Sequence, residues 1–451
     1  TPRRCAEIRG FAGRFRGVRR IGSMSPMAVL EEIELKDPDV YLDGVPHESF
    51  RLLREHDPVH WHPEAAPDPG FWAITKHADV VAISKDPVRF SSAERFIYYE
   101  EIDEESMAMR RSMIETDPPE HTRLRRIVSP LFTPKMVDAY RGHARAVADR
   151  LLDQALAKGR FDWIHDVCEM MPIRVFIDVF GAPESDADHL AKLVNMLVAV
   201  DDPELAPPPE MYERARARGF EPHHLPFSSP AALEIFDYAR DLCAARREEP
   251  RDDLITRLVQ AEWEGDRLTD SELVNFCQLL LFAGNETTRN SLGTGMHQFI
   301  LEPDQFDLLD RDRGLMKGAV EEILRWATPI YAFRRTAMAD VELRGKAIRR
   351  GDKLMLYYIS ANYDEEVFAD PYRFDVTRDA AAQVVFGGGG PHYCLGAFLA
   401  RMQVETLFTA VLDRGLRLEL AGPTARLRSN FGNGLKTMPV AAILPTGSDP
   451  R

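Results

Sequence analysis

The stretch Phe386-Gly387-Gly388-Gly389-Gly390-Pro391-His392-Tyr393-Cys394-Leu395-Gly396 decides how the rest of the chain is read. Four consecutive glycines allow backbone conformations closed to other residues and let a flat object approach the main chain. After Cys394 the apolar positions Phe398, Leu399, Met402, Leu407, Val411 and Leu412 recur at mainly helical spacing, so the cysteine sits where a helix begins. Unpaired N–H groups and the dipole at a helix start favour a thiolate, and such donors also tune a metal–sulfur bond. Gly396 keeps space behind the sulfur. Two plainer readings compete. A buried structural cysteine is common, and a glycine-rich loop before a helix can cradle phosphate. The first leaves the spacing around Cys394 unexplained. The second lacks the Lys-Ser/Thr that a phosphate loop carries after its glycines.

The chain has 451 residues, 45% of them hydrophobic, enough for a large core, though length alone does not fix a domain count. Its five cysteines (Cys5, Cys168, Cys243, Cys277 and Cys394) are scattered and odd in number, which argues against a disulfide framework. A net charge of −15 argues against general nucleic-acid binding. Residues 1–23 carry seven arginines and one glutamate and read as a basic, disordered extension; residues 24–451 read as one domain. A continuous apolar run long enough to span a bilayer is missing, so a membrane anchor is not expected.

Other stretches carry chemistry. Asp117-Pro118-Pro119-Glu120-His121 opens a helix on which His121 and Arg125 share a face. Thr269-Asp270-Ser271-Glu272 has capping-box spacing and starts a helix running to about Leu301, nearly apolar all round from Leu273 to Ala283. At its middle lies Ala283-Gly284-Asn285-Glu286-Thr287-Thr288. A buried Glu beside a Thr is a poor structural choice; the plain alternative is a Thr bonded to a preceding carbonyl and a Glu bridged to arginine. Glu322 and Arg325 form a helical i,i+3 pair, weak evidence alone. Val59 to Trp61 with Phe71 to Ile74 reads as a hairpin, and Val341 to Leu343 and Leu354 to Tyr358 as strands. Asp201 to Pro230 contains seven prolines and reads as a long loop. Phe431 to Leu435 reads as a hairpin tip.

The cysteine loop resembles that of the cytochrome P450 family, Gly-x-His-x-Cys-x-Gly after a phenylalanine. Gly390, His392, Cys394 and Gly396 match; Phe386 lies one residue further away than is commonest, as in bacterial sterol side-chain hydroxylases and their relatives. The resemblance runs from about residue 30 to 445 through five motifs in order. It implies a mostly α fold with a minor β portion, and haem b buried between the long central helix and the cysteine-loop helix. Cys394 would be the iron ligand, with Phe386, Gly387, His392 and Gly396 around the cofactor. His121, Arg125 and Arg335 would hold the propionates, Arg334 being the competing choice for the third. Ala283 and Gly284 would leave room for oxygen and substrate, and Glu286 with Thr287 would supply protons for dioxygen cleavage. Glu322, Arg325 and Arg373 would form a structural clamp. Ile330, Tyr331, Ala332, Phe333 and Phe431 would line the substrate pocket, and residues 201–230 would be its lid.

The implied reaction is monooxygenation of a C–H bond in a sterol, branched lipid or terpenoid by O2. Flavin and iron–sulfur cysteine patterns are missing, so electrons would come from a separate ferredoxin and its ferredoxin reductase, in the cytoplasm. Arg123, Arg126 and Lys135 are candidates for meeting that acidic partner. Two alternatives stand beside this reading: a peroxide-driven haem-thiolate peroxygenase, against which the Glu286–Thr287 pair speaks, and a non-catalytic haem or lipid binder.

Overall fold

The computed structural model describes residues 29–66 and 68–443; the basic segment 1–23 and Cys5 lie outside the described residues. The architecture is mostly helical and is built on the helix Asp270–Leu301, 32 residues long and so about 48 Å from end to end. Its start is the capping box read from the sequence. Thr269 accepts from the Glu272 N–H and the Glu272 carboxylate accepts from the Thr269 N–H at 2.7 Å, satisfying donors that a helix start leaves unpaired. This central helix is apolar around much of its circumference because helices enclose it. Met170–Phe180, Ala231–Glu248, Met316–Ala327 and Ala397–Asp413 all pack on it. Small residues bring some of these close: a Cβ on Gly295 would sit 2.9 Å from Ile323 and Phe408 side-chain atoms. One apolar core runs from Leu30 to Val440.

The strands form a side layer. A five-stranded sheet has the order Val59–His62, Phe71–Ile74, Lys353–Tyr357, Ala332–Ala337, Phe90–Ser91. Its first two strands are the expected antiparallel hairpin, and Lys353–Tyr357 joins Phe71–Ile74 in parallel. The hairpin near Phe431 is also present: Ala425–Arg426 pairs with Leu435–Thr437, and Phe431 lies in the turn between them. The segment 201–230 differs from a plain loop. It holds the helix Pro209–Ala217 and two short helical turns, Pro222–His224 and Pro226–Ser228. Pro208 and Pro209 do not break that helix; they sit at its start, where proline's missing N–H costs nothing.

This segment is tied down by charge. Lys436 reaches the buried Asp202 carboxylate at 3.2 Å and Glu204 at 3.1 Å, and Arg428 bonds the Asp201 carbonyl and the Asp39 carboxylate.

Candidate active site

The cysteine loop leads into the helix Ala397–Asp413 and packs against the end of the helix His77–Ser84. All four glycines, Gly387 to Gly390, have positive φ. Gly390 shows why: a Cβ there would sit 2.2 Å from the Ser84 carbonyl oxygen, a clash only glycine avoids. The loop closes on itself where the Cys394 N–H donates to the Phe386 carbonyl at 2.9 Å. Arg401 braces it from behind, its guanidinium 4.3 Å from the Phe386 ring centre and bonded to Glu321.

Cys394 faces a cavity with about 1670 Å³ of unfilled space, counting its mouth. The cysteine's exposure is exposure to this chamber. Burial pushes its thiol up, while the Gly396 N–H, Arg125 and Arg401 favour the thiolate. Across the chamber stand Ala283, Gly284 and Thr287 of the central helix; Phe386, Gly387, His392 and Gly396 line the loop side. His121, Arg125 and Arg335 complete the rim. The structure therefore brings these eleven residues, all singled out in the sequence, around one chamber.

Arg125 and Arg335 carry no carboxylate partner among the described residues, although both reach into a largely apolar chamber; Arg335 bonds only the Arg334 carbonyl, at 2.8 Å. Burial works against the Arg125 charge, and Cys394 offsets part of that. Burial, then the Arg125 charge, hold His121 down at about 4; burial, then Arg335, hold His392 at about 2, so both rings are neutral. The rings lie 4.2 Å apart, and His392 Nε2 is buried without a partner. A buried cation, a half-buried one and an orphaned ring nitrogen call for an anionic, hydrogen-bonding occupant. A Cβ on Gly396 would meet nothing within 4 Å, so the chamber stays flat beside the sulfur. A planar macrocycle with two carboxylates fits this donor set.

The family profile for cytochrome P450 matches residues 81–439. The chain belongs to the cytochrome P450 family. It is 37% identical over 413 residues to the steroid C26-monooxygenase of Mycobacterium tuberculosis, covering 89% of this chain and 91% of that one. It is 34% identical over 422 residues to the linalool 8-monooxygenase of Pseudomonas putida, covering 92% and 100%. A Mycobacterium marinum cytochrome P450 solved in complex with pseudoionone superposes with a TM-score of 0.80 at 34% identity, covering 91% of this chain and 98% of that chain. This P450 is accordingly an oxidoreductase, a monooxygenase with haem as cofactor. Among the described residues no helix is long and apolar enough to cross a membrane.

Several expected residues stand elsewhere. Phe333 and Arg335 line the chamber but Ala332 and Arg334 do not, because alternate residues of a strand face opposite sides. Arg334 turns instead to the Glu101 carboxylate at 2.9 Å, which removes it as the competing rim cation. Tyr331 also faces away, packing on Tyr41 and bonding Asn433 at 3.1 Å, while Ile330 lines the wall. Phe431 stands behind the wall, against Phe333, Phe282 and Phe227.

Arg373 is not the third arm of the clamp. Its side chain is 63% exposed and lies 3.8 Å from Asp375, whereas Arg378 reaches Glu322 at 3.2 Å. The chain turns back after Asp370, whose φ is +47°, and Arg378 bonds the Asp370 and Arg373 carbonyls at 2.9 and 2.8 Å. Arg325 itself is fully buried, bidentate to Glu322 at 2.7 and 2.8 Å.

Glu286 and Thr287 point to different places. Thr287 borders the chamber and donates to the Ala283 carbonyl at 2.8 Å. Glu286 is not among the chamber-lining residues; Arg289 holds its carboxylate at 3.1 and 3.2 Å and Asn290 at 3.0 Å. Ile97, Met113, Phe176, Val179 and Phe282 also line the chamber. They carry no motif, and only the fold gathers them.

Proposed function

We propose that this P450 hydroxylates an unactivated C–H bond of a sterol, branched lipid or terpenoid, drawing electrons from a ferredoxin reduced by ferredoxin reductase in the cytoplasm. The observation that supports it best is the chamber itself: a largely apolar space over Cys394 with the Thr287 hydroxyl on its distal wall, beside the small residues Ala283 and Gly284. Relatives named for steroid and linalool oxidation share this length and sequence, which supports an apolar substrate with few hydrogen-bonding groups.

When bound, haem with a thiolate ligand supplies dioxygen cleavage, putting one oxygen atom into substrate and the other into water. Cys394 would be that ligand, its charge favoured by the Gly396 N–H, Arg125 and Arg401. His121, Arg125 and Arg335 would hold the propionates. Ala283 and Gly284 leave space beside the substrate, since a Cβ on Gly284 would approach nothing closer than Phe176 at 4.0 Å. Thr287 would orient a proton donor at the chamber wall through its hydroxyl. Glu286 would act from behind the wall as the acid that replenishes this proton, after leaving Arg289. Ile97, Phe282 and Phe333 exclude water and orient the hydrocarbon. Glu322, Arg325 and Arg378 would brace the clamp.

For the partner surface, Arg123 is already engaged by Glu120, Asp266 and Glu272. Arg126, over the Trp263 ring at 5.3 Å, and Lys135 remain the basic candidates, with Phe398 47% exposed beside the cysteine loop. The test is turnover of the haem-loaded protein with ferredoxin, ferredoxin reductase, NADH and cholesterol or linalool under ¹⁸O2. A hydroxylated product carrying one ¹⁸O is expected. Product only with added hydrogen peroxide would point to a peroxygenase, and no product with either oxidant would refute the enzymatic substrate assignment.

A further inference from the structure

The chamber has a second wall. Behind Ile97, Phe282 and Phe333 stand Phe96, Phe431 and Phe227. Phe227 joins this layer from the 201–230 segment: its ring centre lies 4.9 Å from Phe282, 5.4 Å from Phe431 and 5.7 Å from Phe96. Phe96 and Phe431 come from the body of the protein. Phe227 is thus the ring in this layer carried by the covering segment.

Its backbone is also in an uphill state. Phe227 has φ +54° and ψ +23°, and Ser228 has φ +54°. Two successive non-glycine residues in the left-handed region are costly and persist only where surroundings hold them. The holding contacts are visible. Leu225 before them is fully buried, Ser229 after them bonds the Met196 carbonyl at 2.7 Å, and the Phe227 ring is buried in the aromatic layer. Withdrawing the ring exposes apolar surface but lets both residues relax to ordinary φ values.

We propose that Phe227 is a retractable plug that sets the length of substrate the site accepts. With the ring in, the chamber takes a compact molecule; with the ring out, it takes a rigid polycyclic hydrocarbon extending from Thr287 past Phe282. The inference rests on the reading of an apolar substrate and names the residue that divides short from long ones.

A ruler of azoles tests it on the haem-loaded protein: 4-phenylimidazole as the short rod and 4-(biphenyl-4-yl)imidazole as the long one, each followed by the spectral shift on binding. Phe227→Ala is expected to tighten the long rod by about tenfold and leave the short rod within about twofold, and Phe227→Trp to weaken the long rod by about tenfold. Phe227→Leu, which keeps an apolar side chain, gives a smaller gain of about threefold and serves if the alanine variant fails to fold. Equal changes for both rods, or none, would overturn the plug. Cholesterol separates the two readings. If the rods respond as expected and cholesterol shifts no variant's spectrum, the plug stands and the sterol assignment falls. If cholesterol binds wild type and Phe227→Ala alike and the long rod does too, the plug falls and the assignment stands.

Discussion

Replacing Arg325 by alanine removes the most buried cation of the clamp. Its guanidinium is sealed from solvent, bidentate to Glu322, bonded to the Asn362 and Pro371 carbonyls at 2.8 and 3.1 Å, and set against the Tyr363 ring at 5.1 Å. Breaking a buried ion pair costs about 3–5 kcal/mol because the other charge is left behind. Glu322 keeps Arg378 and the Asp375 N–H at 3.0 Å, which places the pair near the lower end of that range. The two carbonyls stripped of donors add about 1 kcal/mol each. The sum is about 5 kcal/mol, against a typical total stability of about 5–15 kcal/mol. Arg378→Ala loses one contact to Glu322 and carbonyl bonds nearer the surface, costing about 2 kcal/mol. Arg373→Ala, exposed and barely paired, costs less than about 0.5 kcal/mol. Urea unfolding of the haem-loaded variants, followed by tryptophan fluorescence and haem absorbance, measures all three. The order Arg325 over Arg378 over Arg373 is the claim. A severe Arg373→Ala alongside a silent Arg378→Ala would refute the clamp geometry drawn above.

Cys394→Ser should leave the helical content intact and abolish the red-shifted carbon monoxide band of the reduced protein; an unchanged band would remove Cys394 as ligand. Thr287→Ala should leave substrate affinity within about twofold while product formed per NADH consumed falls by about tenfold, as expected of a group that acts in proton delivery; unchanged coupling would reduce the hydroxyl to a helix brace. Burial, then the charges of Arg54, Arg426 and Arg325, hold His47 down at about 3 against 6.5. Between those values the unfolded chain takes up a proton that the folded protein refuses, so stability falls as pH drops from 6.5 toward 3. His47→Phe, which keeps a ring against Tyr363 at 4.3 Å, should lose less, by about 3 kcal/mol at pH 4; parallel stability curves for variant and wild type would refute this.

The sequence made the proximal half of the site legible because its constraints are local. A glycine run, a cysteine at fixed spacing and a helix start all lie within eleven residues, and the fold adds only what they face. The central helix was equally readable from its capping box and the nearly all-round apolar stretch from Leu273 to Ala283. Contacts that depend on the chain doubling back were not. Arg373 and Arg378 are both arginines just after the same proline, Pro371, and the path of the chain after the turn at Asp370 determines which one returns to Glu322. Pocket walls failed in a different way. Between Ile330 and Phe333 the sequence offers four apolar residues; strand alternation turns Ala332 away from the side that Phe333 faces, and Tyr331, just before the strand, turns to Tyr41 and Asn433. Prolines at 208 and 209 read as breaks but serve as a helix start, a distinction that needs the residues after them to be weighed as a helix.

The acid and alcohol of the central helix bear most directly on mechanism. The chamber takes the arc of the helix that carries Ala283, Gly284, Thr287, Thr288 and Ser291, and at about 100° per residue Glu286 falls outside that arc. That outward position also gives the acid its partners: Arg289, three residues on, and Asn290, four on, lie on the same face and bond it. Asn290 is fixed in turn by the tight approach of Gly434, where a Cβ would sit 2.1 Å from the amide oxygen. A carboxylate held by these two partners is turned away from the chamber and does not reach it where it stands. Proton delivery by Glu286 would therefore require either that it exchange Arg289 for the chamber or that water carry the proton around the helix to Thr287. Either route would make the strength of the Glu286–Arg289 pair a brake on the chemistry as well as a support for the fold. The bridged glutamate is the arrangement observed; the proton source would be the same residue at another stage of the cycle.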